Sequence, residues 1–119
     1  GVMIETPAAV LIAPALAREV SFFSIGTNDL TQYIMAADRL NPTVAKLNDV
    51  SNPAVMSAIE MTAKAGVAAG IMVGMCGEAA GRPDLIPAFV GMGLTELSMS
   101  PASIQRAKKT IAGMAGAST

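Results

Sequence analysis

Ser21-Phe22-Phe23-Ser24-Ile25-Gly26-Thr27-Asn28-Asp29-Leu30 is the stretch that decides the fold. Residues 21–26 are apolar, rich in Phe and β-branched side chains, and lack the alternation of a half-exposed strand. They read as a strand buried on both faces, the kind that belongs to parallel sheets. Three polar residues, Thr27, Asn28 and Asp29, follow at once. Residues 1–5, 71–75 and 95–99 carry the same strand signature. Between them the helix-start signal repeats: Thr6-Pro7, Asn52-Pro53 and Ser100-Pro101 each set a capping side chain before a proline, with Arg82-Pro83 a weaker version. Apolar spacing supports helices through Val55, Met56, Ile59 and Ala63, and through Ile104, Ala107 and Ile111. Residues 40–51 read as a loop, and 113–119 as a small, fraying tail. Strand then helix, four times over, predicts an α/β chain with a parallel sheet and right-handed crossovers. No low-complexity linker divides it, so residues 1–119 are expected to form one domain.

Composition narrows the function. Of 119 residues, 52% are hydrophobic and only 14% charged, which excludes disordered and fibrous classes. Eight Lys+Arg against nine Asp+Glu, with no basic run, argues against nucleic acid or an anionic membrane surface as main partner. The longest apolar stretches, residues 8–17 and 67–76, fall short of the roughly 20 residues of a membrane span. No basic, apolar, small-residue leader opens the chain, and one Cys suits a reducing compartment, so a cytoplasmic location is the expectation. Histidine is absent, which removes a Ser-His-Asp triad, a His-ligated zinc and a phosphohistidine from these residues. The first strand begins at residue 1, as if the chain had been cut there. A full (β/α)₈ barrel takes about 250 residues, so a half-barrel is one reading and an open four-stranded sheet the other.

Parallel α/β sheets gather ligands at the carboxyl ends of their strands. Those ends read Glu5-Thr6-Pro7, Thr27-Asn28-Asp29, Cys76-Gly77-Glu78 and Ser98-Met99-Ser100, and they concentrate the polar groups of the strands on one rim. Glu5 and Asp29 are a plausible hard-oxygen pair for Mg²⁺, or two acids complementing helix dipoles. Asn28 either donates to a phosphate oxygen or caps a helix starting near Leu30. Cys76, between Gly74 and Gly77, is either a small buried hydrophobe or a reagent that glycines leave open to a ligand. Glu78 is a supporting anchor or a first-turn acid. Met35, Met56, Met61 and Met92 read as core filling. A straight helix from Asp29 to Arg39 would separate the two by about 15 Å. Arg39 is then a surface charge, unless the helix stops near Ala36 and the chain folds back. There is no G-x-x-x-x-G-K-[ST] or G-x-G-x-x-G, so no P-loop or dinucleotide fingerprint.

At these residues the sequence resembles a known family. Val2-Met3-Ile4-Glu5-Thr6-Pro7-Ala8-Ala9 is similar to the fifth-strand segment of enzyme I, the phosphoenolpyruvate–protein phosphotransferase of the bacterial sugar phosphotransferase system. Phe22 through Tyr33, continuing to Ala37-Asp38-Arg39, resembles that family's signature; Gly74-Met75-Cys76-Gly77-Glu78 and Leu97-Ser98-Met99-Ser100 resemble its last two strands. The resemblance implies the second half, strands five to eight, of a phosphoenolpyruvate/pyruvate-type (β/α)₈ TIM barrel. It implies Glu5 and Asp29 as Mg²⁺ ligands, Asn28, Asp29 and Arg39 in the substrate site, and Cys76 as the acid that protonates the enolate carbon. Those roles agree with phosphoryl-transfer physics, in which positioning and charge neutralisation carry most of the catalysis. It also implies a phosphorylated histidine on a separate domain of the parent chain, the phosphocarrier protein HPr as next acceptor, a homodimer, and a fragment inactive alone. Residues 46–52 depart from the commonest family form of the helix-entry loop.

Pyruvate phosphate dikinase and phosphoenolpyruvate synthase share Glu5, Asn28-Asp29 and Cys76-Gly77-Glu78. They differ after Thr31-Gln32, so Tyr33 and Ala37-Asp38-Arg39 favour enzyme I. A fragment of either relative is one alternative, and a non-catalytic dimerisation module is the other.

Overall fold

The computed structural model describes the backbone of residues 1–117 and side chains through Met114. Four parallel strands, β1 (Val2–Ile4), β2 (Phe22–Gly26), β3 (Met72–Cys76) and β4 (Glu96–Ser98), form one sheet in the order β1-β2-β3-β4. Each lies within a residue or two of its expected bounds. Thr6 Oγ1 accepts the Ala9 N–H at 3.2 Å and opens α1 (Pro7–Leu11). A break at Ile12, where Pro14 lacks the N–H a continuous helix would use, separates α1 from α2 (Ala13–Ala17). Asn52 Oδ1 accepts the Ala54 N–H at 2.9 Å and opens α4 (Pro53–Ala68). Between β2 and α4 lie α3 (Thr27–Met35) and a 3₁₀ turn, Ala45–Leu47, inside the expected loop. A second 3₁₀ turn, Glu78–Gly81, precedes α5 (Ile86–Met92), and α6 (Pro101–Ala117) follows β4.

Register shows which residues share a face. Ile4 pairs with Ile25, Phe23 with Val73, and Ile25 with Met75. All five are buried and pack with Val55, Ile59 and Ala63 of α4 in the core. The opposite face holds Met3, Phe22, Ser24, Met72, Gly74, Cys76, Glu96 and Ser98. Among the described residues no helix covers it: Met3, Phe22 and Met72 are 48%, 39% and 43% exposed. The expectation of strands buried on both faces is therefore corrected. The strands are apolar on both sides, but this chain supplies cover for only one.

Two further expectations fail. Arg82-Pro83 starts no helix, because the Arg82 carbonyl accepts the N–H groups of both Leu85 and Ile86 in a turn, and α5 begins only at Ile86. The helix expected through Ile104, Ala107 and Ile111 forms as α6, and of that stripe Ala107 is buried, since α6 rests on α5 and the Glu78–Gly81 turn. The tail continues α6 as far as Ala117, and the part of that expectation falling on Ser118 and Thr119 lies outside the described residues. Met35, Met56 and Met92 pack against the core as expected, whereas Met61 is exposed.

Candidate active site

Each strand delivers its polar residue to one end of the sheet by ending there. Glu5 follows the last residue of β1, Thr27-Asn28-Asp29 form the first turn of α3 directly after β2, and Cys76 closes β3. Glu5, Asn28, Asp29, Arg39 and Cys76 together line one cavity of 190 Å³, with Met3, Gly26, Thr27 and Gly77 completing its wall. Gly26 leaves room for this: a Cβ there would lie 3.2 Å from Glu5 Oε2. Burial, then the adjoining Asp29 carboxyl and its charge, hold the Glu5 carboxyl above its usual 4.5. Two adjoining carboxyls, one of them disfavoured as an anion by its neighbour, form a site that gains from a cation.

Asn28 does not cap a helix, because α3 begins at Thr27 with Gly26 before it. Its Oδ1 instead accepts the Glu78 N–H at 3.3 Å, which joins the β2 and β3 ends and leaves Nδ2 as a donor. Thr27 Oγ1 donates to the Cys76 carbonyl at 3.0 Å, and the Ser24 hydroxyl donates to Cys76 Sγ at 3.9 Å. Gly77 follows in the left-handed region at φ 115°, where an added Cβ would collide with Thr27 Oγ1.

Arg39 reaches the site because the helix stops. Ala36 takes φ 52° and ψ 40°, the Ala37 N–H closes onto the Gln32 carbonyl at 3.1 Å, and the chain turns back. Arg39 Nη1 then lies 3.8 Å from Asp29 Oδ1, so of the two alternatives the fold-back is the one observed. The sequence reading missed Gln32, whose side chain bonds both Asp29 and Arg39. Its place three residues after Asp29, on the same helix face, was the available signal. Glu78 and the β4 hydroxyls stand apart. They line an adjoining cavity of 410 Å³ that shares Asn28 and Gly77 with the first. The fourth strand end therefore borders the site without joining it. Among the described residues no cluster of three or more metal-binding side chains exists, so the carboxylate pair is what a cation would find. No helix among them is long and apolar enough to cross a membrane.

Comparison with known proteins follows the same residues. Residues 1–115 match the family model described as the PEP-binding domain of PEP-utilising enzymes. The chain belongs to that family. A Haloferax volcanii relative is 52% identical over 112 residues, 94% of this chain and 20% of its own length. One from Mycoplasma pneumoniae is likewise 52% identical over 112 residues, 94% of this chain and 20% of its own. One from Streptococcus equinus is 53% identical over 108 residues, 91% of this chain and 19% of its own. All three are named phosphoenolpyruvate-protein phosphotransferase, in agreement with the resemblance to enzyme I carried by Thr27 through Arg39. The chain spans about one fifth of the length of these curated relatives.

Proposed function

We propose that this chain is the phosphoenolpyruvate-binding catalytic portion of a phosphoenolpyruvate–protein phosphotransferase. In that reading it moves the phosphoryl group to a histidine on a separate domain of the parent, as the first step of a sugar-uptake phosphorelay. The observation that carries the reading is the gathering of Glu5, Asn28, Asp29, Arg39 and Cys76 around one 190 Å³ cavity. Residues 1–119 are then a single partial domain, the second half of a (β/α)₈ barrel. The sequential parallel order and the open apolar sheet face support this, since a closed barrel has a filled interior and no edges. The resemblance alone supports HPr as acceptor, a homodimeric parent and a cytoplasmic location.

Glu5 and Asp29 would hold Mg²⁺, a cation that takes one or two protein carboxylates and leaves its other positions to waters and substrate oxygens. When bound, it supplies neutralisation of the charge on the transferring phosphoryl group. The Arg39 guanidinium and Asn28 Nδ2 bind and orient the anionic substrate from the other side. The bond from phosphorus to the enol oxygen breaks, and the phosphoryl group passes to the acceptor nitrogen. The enolate left behind needs a proton at carbon to become pyruvate. Cys76 Sγ–H supplies it, because the end of β3 sets this thiol in the wall of the cavity that the substrate would occupy. The thiolate then recovers its proton from solvent.

The test is Cys76→Ala in the full-length parent, with pyruvate formation followed in deuterated water. Turnover should fall by about 10²-fold or more, and stereospecific deuterium delivery to the methyl carbon should be lost. Wild-type turnover with unchanged stereochemistry would assign the proton to another donor. The chain by itself, having no histidine, should stay unlabelled after incubation with labelled phosphoenolpyruvate and Mg²⁺; acid-labile phosphate on it would overturn the reading.

A further inference from the structure

The return of Arg39 to the site depends on more than the end of α3. The Ala37 N–H already closes the helix onto the Gln32 main-chain carbonyl at 3.1 Å, so the Gln32 side chain is free for another use. Its Oε1 accepts the main-chain N–H of Arg39 at 2.8 Å, seven residues on, while its Nε2 donates to Asp29 Oδ1 at 3.4 Å. The orientation of the amide is forced. A main-chain N–H can only donate and a carboxylate can only accept, so a flipped carboxamide would break both bonds. On the outer side, Asn48 Nδ2 donates to the Ala37 carbonyl at 2.8 Å and holds the same limb from the loop. The guanidinium itself is loosely placed, half-exposed and 3.8 Å from Asp29. What fixes its reach is therefore the backbone from which it grows.

We propose that Gln32 is a positioning residue of this site: one carboxamide, bonded to Asp29 on one side and to the Arg39 main chain on the other, sets the distance between the carboxylate and the guanidinium. The proposal rests on the assignment of Asp29 and Arg39 to cation and substrate above. A long, mobile Arg loses much side-chain freedom when it binds an anion, and anchoring its Cα at the rim reduces that cost before substrate arrives. The two arms of the bridge are chemically separable. Gln32→Met keeps the length and removes both bonds; Gln32→Glu keeps an acceptor for the Arg39 N–H and loses the donor to Asp29.

Hydrogen exchange at the Arg39 amide in this chain and steady-state kinetics of the full-length parent test the proposal together. Gln32→Met should speed Arg39 exchange about tenfold and raise the KM for phosphoenolpyruvate about tenfold, with the thermal midpoint unchanged. Gln32→Glu should restore slow exchange but not KM. Unchanged exchange in Gln32→Met overturns the clamp. Faster exchange with an unchanged KM, while Arg39→Ala raises KM, overturns the positioning role alone. An Arg39→Ala variant with wild-type KM instead overturns the assignment of Arg39 to the substrate, and the positioning role with it.

Discussion

The two faces of the sheet are built from the same four strands yet do opposite work. On the covered face Ile4, Phe23, Ile25, Val73 and Met75 are buried against helices, and no titratable group intrudes. On the open face the side chains sort along the strand. Met3, Phe22 and Met72 are apolar and exposed, while Cys76 lies at a carboxyl end beside Glu5 and Asp29. A polar site at a strand end can afford exposure to water; an apolar surface of this kind marks a place where other protein or ligand fits. The covered face thus carries the packed core and the open face borders the candidate site. That division can be attacked from either side.

The largest expected effect is on the covered face. Phe23→Ala should destabilise the chain by about 3–5 kcal/mol, because it removes a fully buried ring from a packed interior. Phe22→Ala, one residue away on the open face, should cost far less. Chemical denaturation of both variants checks this, and equal losses would show that the open face is covered in solution. Next in size, Glu5→Gln in the full-length parent should weaken Mg²⁺ binding about a hundredfold, roughly 2.8 kcal/mol. Glu96→Gln, which removes another carboxylate from the same face at the start of β4, level with Gly74, should leave it unchanged. Calorimetric titration in the presence of phosphoenolpyruvate separates the two. A shared loss would mean that the charge of the face, and not the pair at its rim, holds the ion.

Much of this was legible in the sequence. The four strands were, because short apolar runs that end in polar or glycine residues, with helix signals between them, admit few other readings. The capping pairs at Thr6 and Asn52 worked as read, since each needs only its own next few residues. The failures share a cause, which is dependence on partners distant in sequence. Asn28 looks like a cap until Glu78 arrives fifty residues later to donate to it. Arg82 looks like a helix start, but its carbonyl closes a turn with Leu85 and Ile86 while its guanidinium reaches the distant Asp49. The open face was unreadable because apolar residues describe what a strand is suited to bury, not whether this chain buries it. Arg39 was undecidable because Ala36 carries no mark of the left-handed conformation that Gly or Asn would have advertised.

A smaller effect is expected where the two faces meet at the rim. Gly77→Ala places a Cβ at φ 115° and against Thr27 Oγ1, so it should cost about 1–3 kcal/mol and displace the Cys76 carbonyl that Thr27 holds. In the full-length parent it should lower turnover as well as stability. Thr27→Val, which keeps the shape and removes the donor, should reproduce the part of the loss that comes from the hydrogen bond. If Gly77→Ala proved neutral in both assays, rim geometry would not depend on the β3 end.

The smallest effect lies outside both faces, on the loop that carries Asn48 toward the Arg39 limb. Asp49 accepts from the Ser51 hydroxyl at 2.7 Å and from Arg82 Nη1 at 3.2 Å; Arg82 Nη2 in turn donates to Asp84 Oδ2 at 2.8 Å. The Ser51 hydrogen bonds first, and then the Arg82 guanidinium, hold Asp49 below its usual 3.8, while Arg82 does the same for Asp84. A carboxylate with a depressed folded-state pKa adds stability that is fully present above the unfolded value. That stability is lost as pH falls through the folded value. Acid should therefore loosen this loop only below about 3.8, and neutral-pH stability should be flat with respect to these groups. All three side chains are substantially exposed, so water and salt screen the pairs and their contribution is small. Asp49→Asn should lower the thermal midpoint slightly at neutral pH, and the gap from wild type should close as pH drops below 3.8 or as salt rises. Thermal melts across that window, with hydrogen exchange at the Arg39 amide as local reporter, check both halves. A gap that persisted in acid and in salt would show that Asp49 acts through its Ser51 turn and not through its charge.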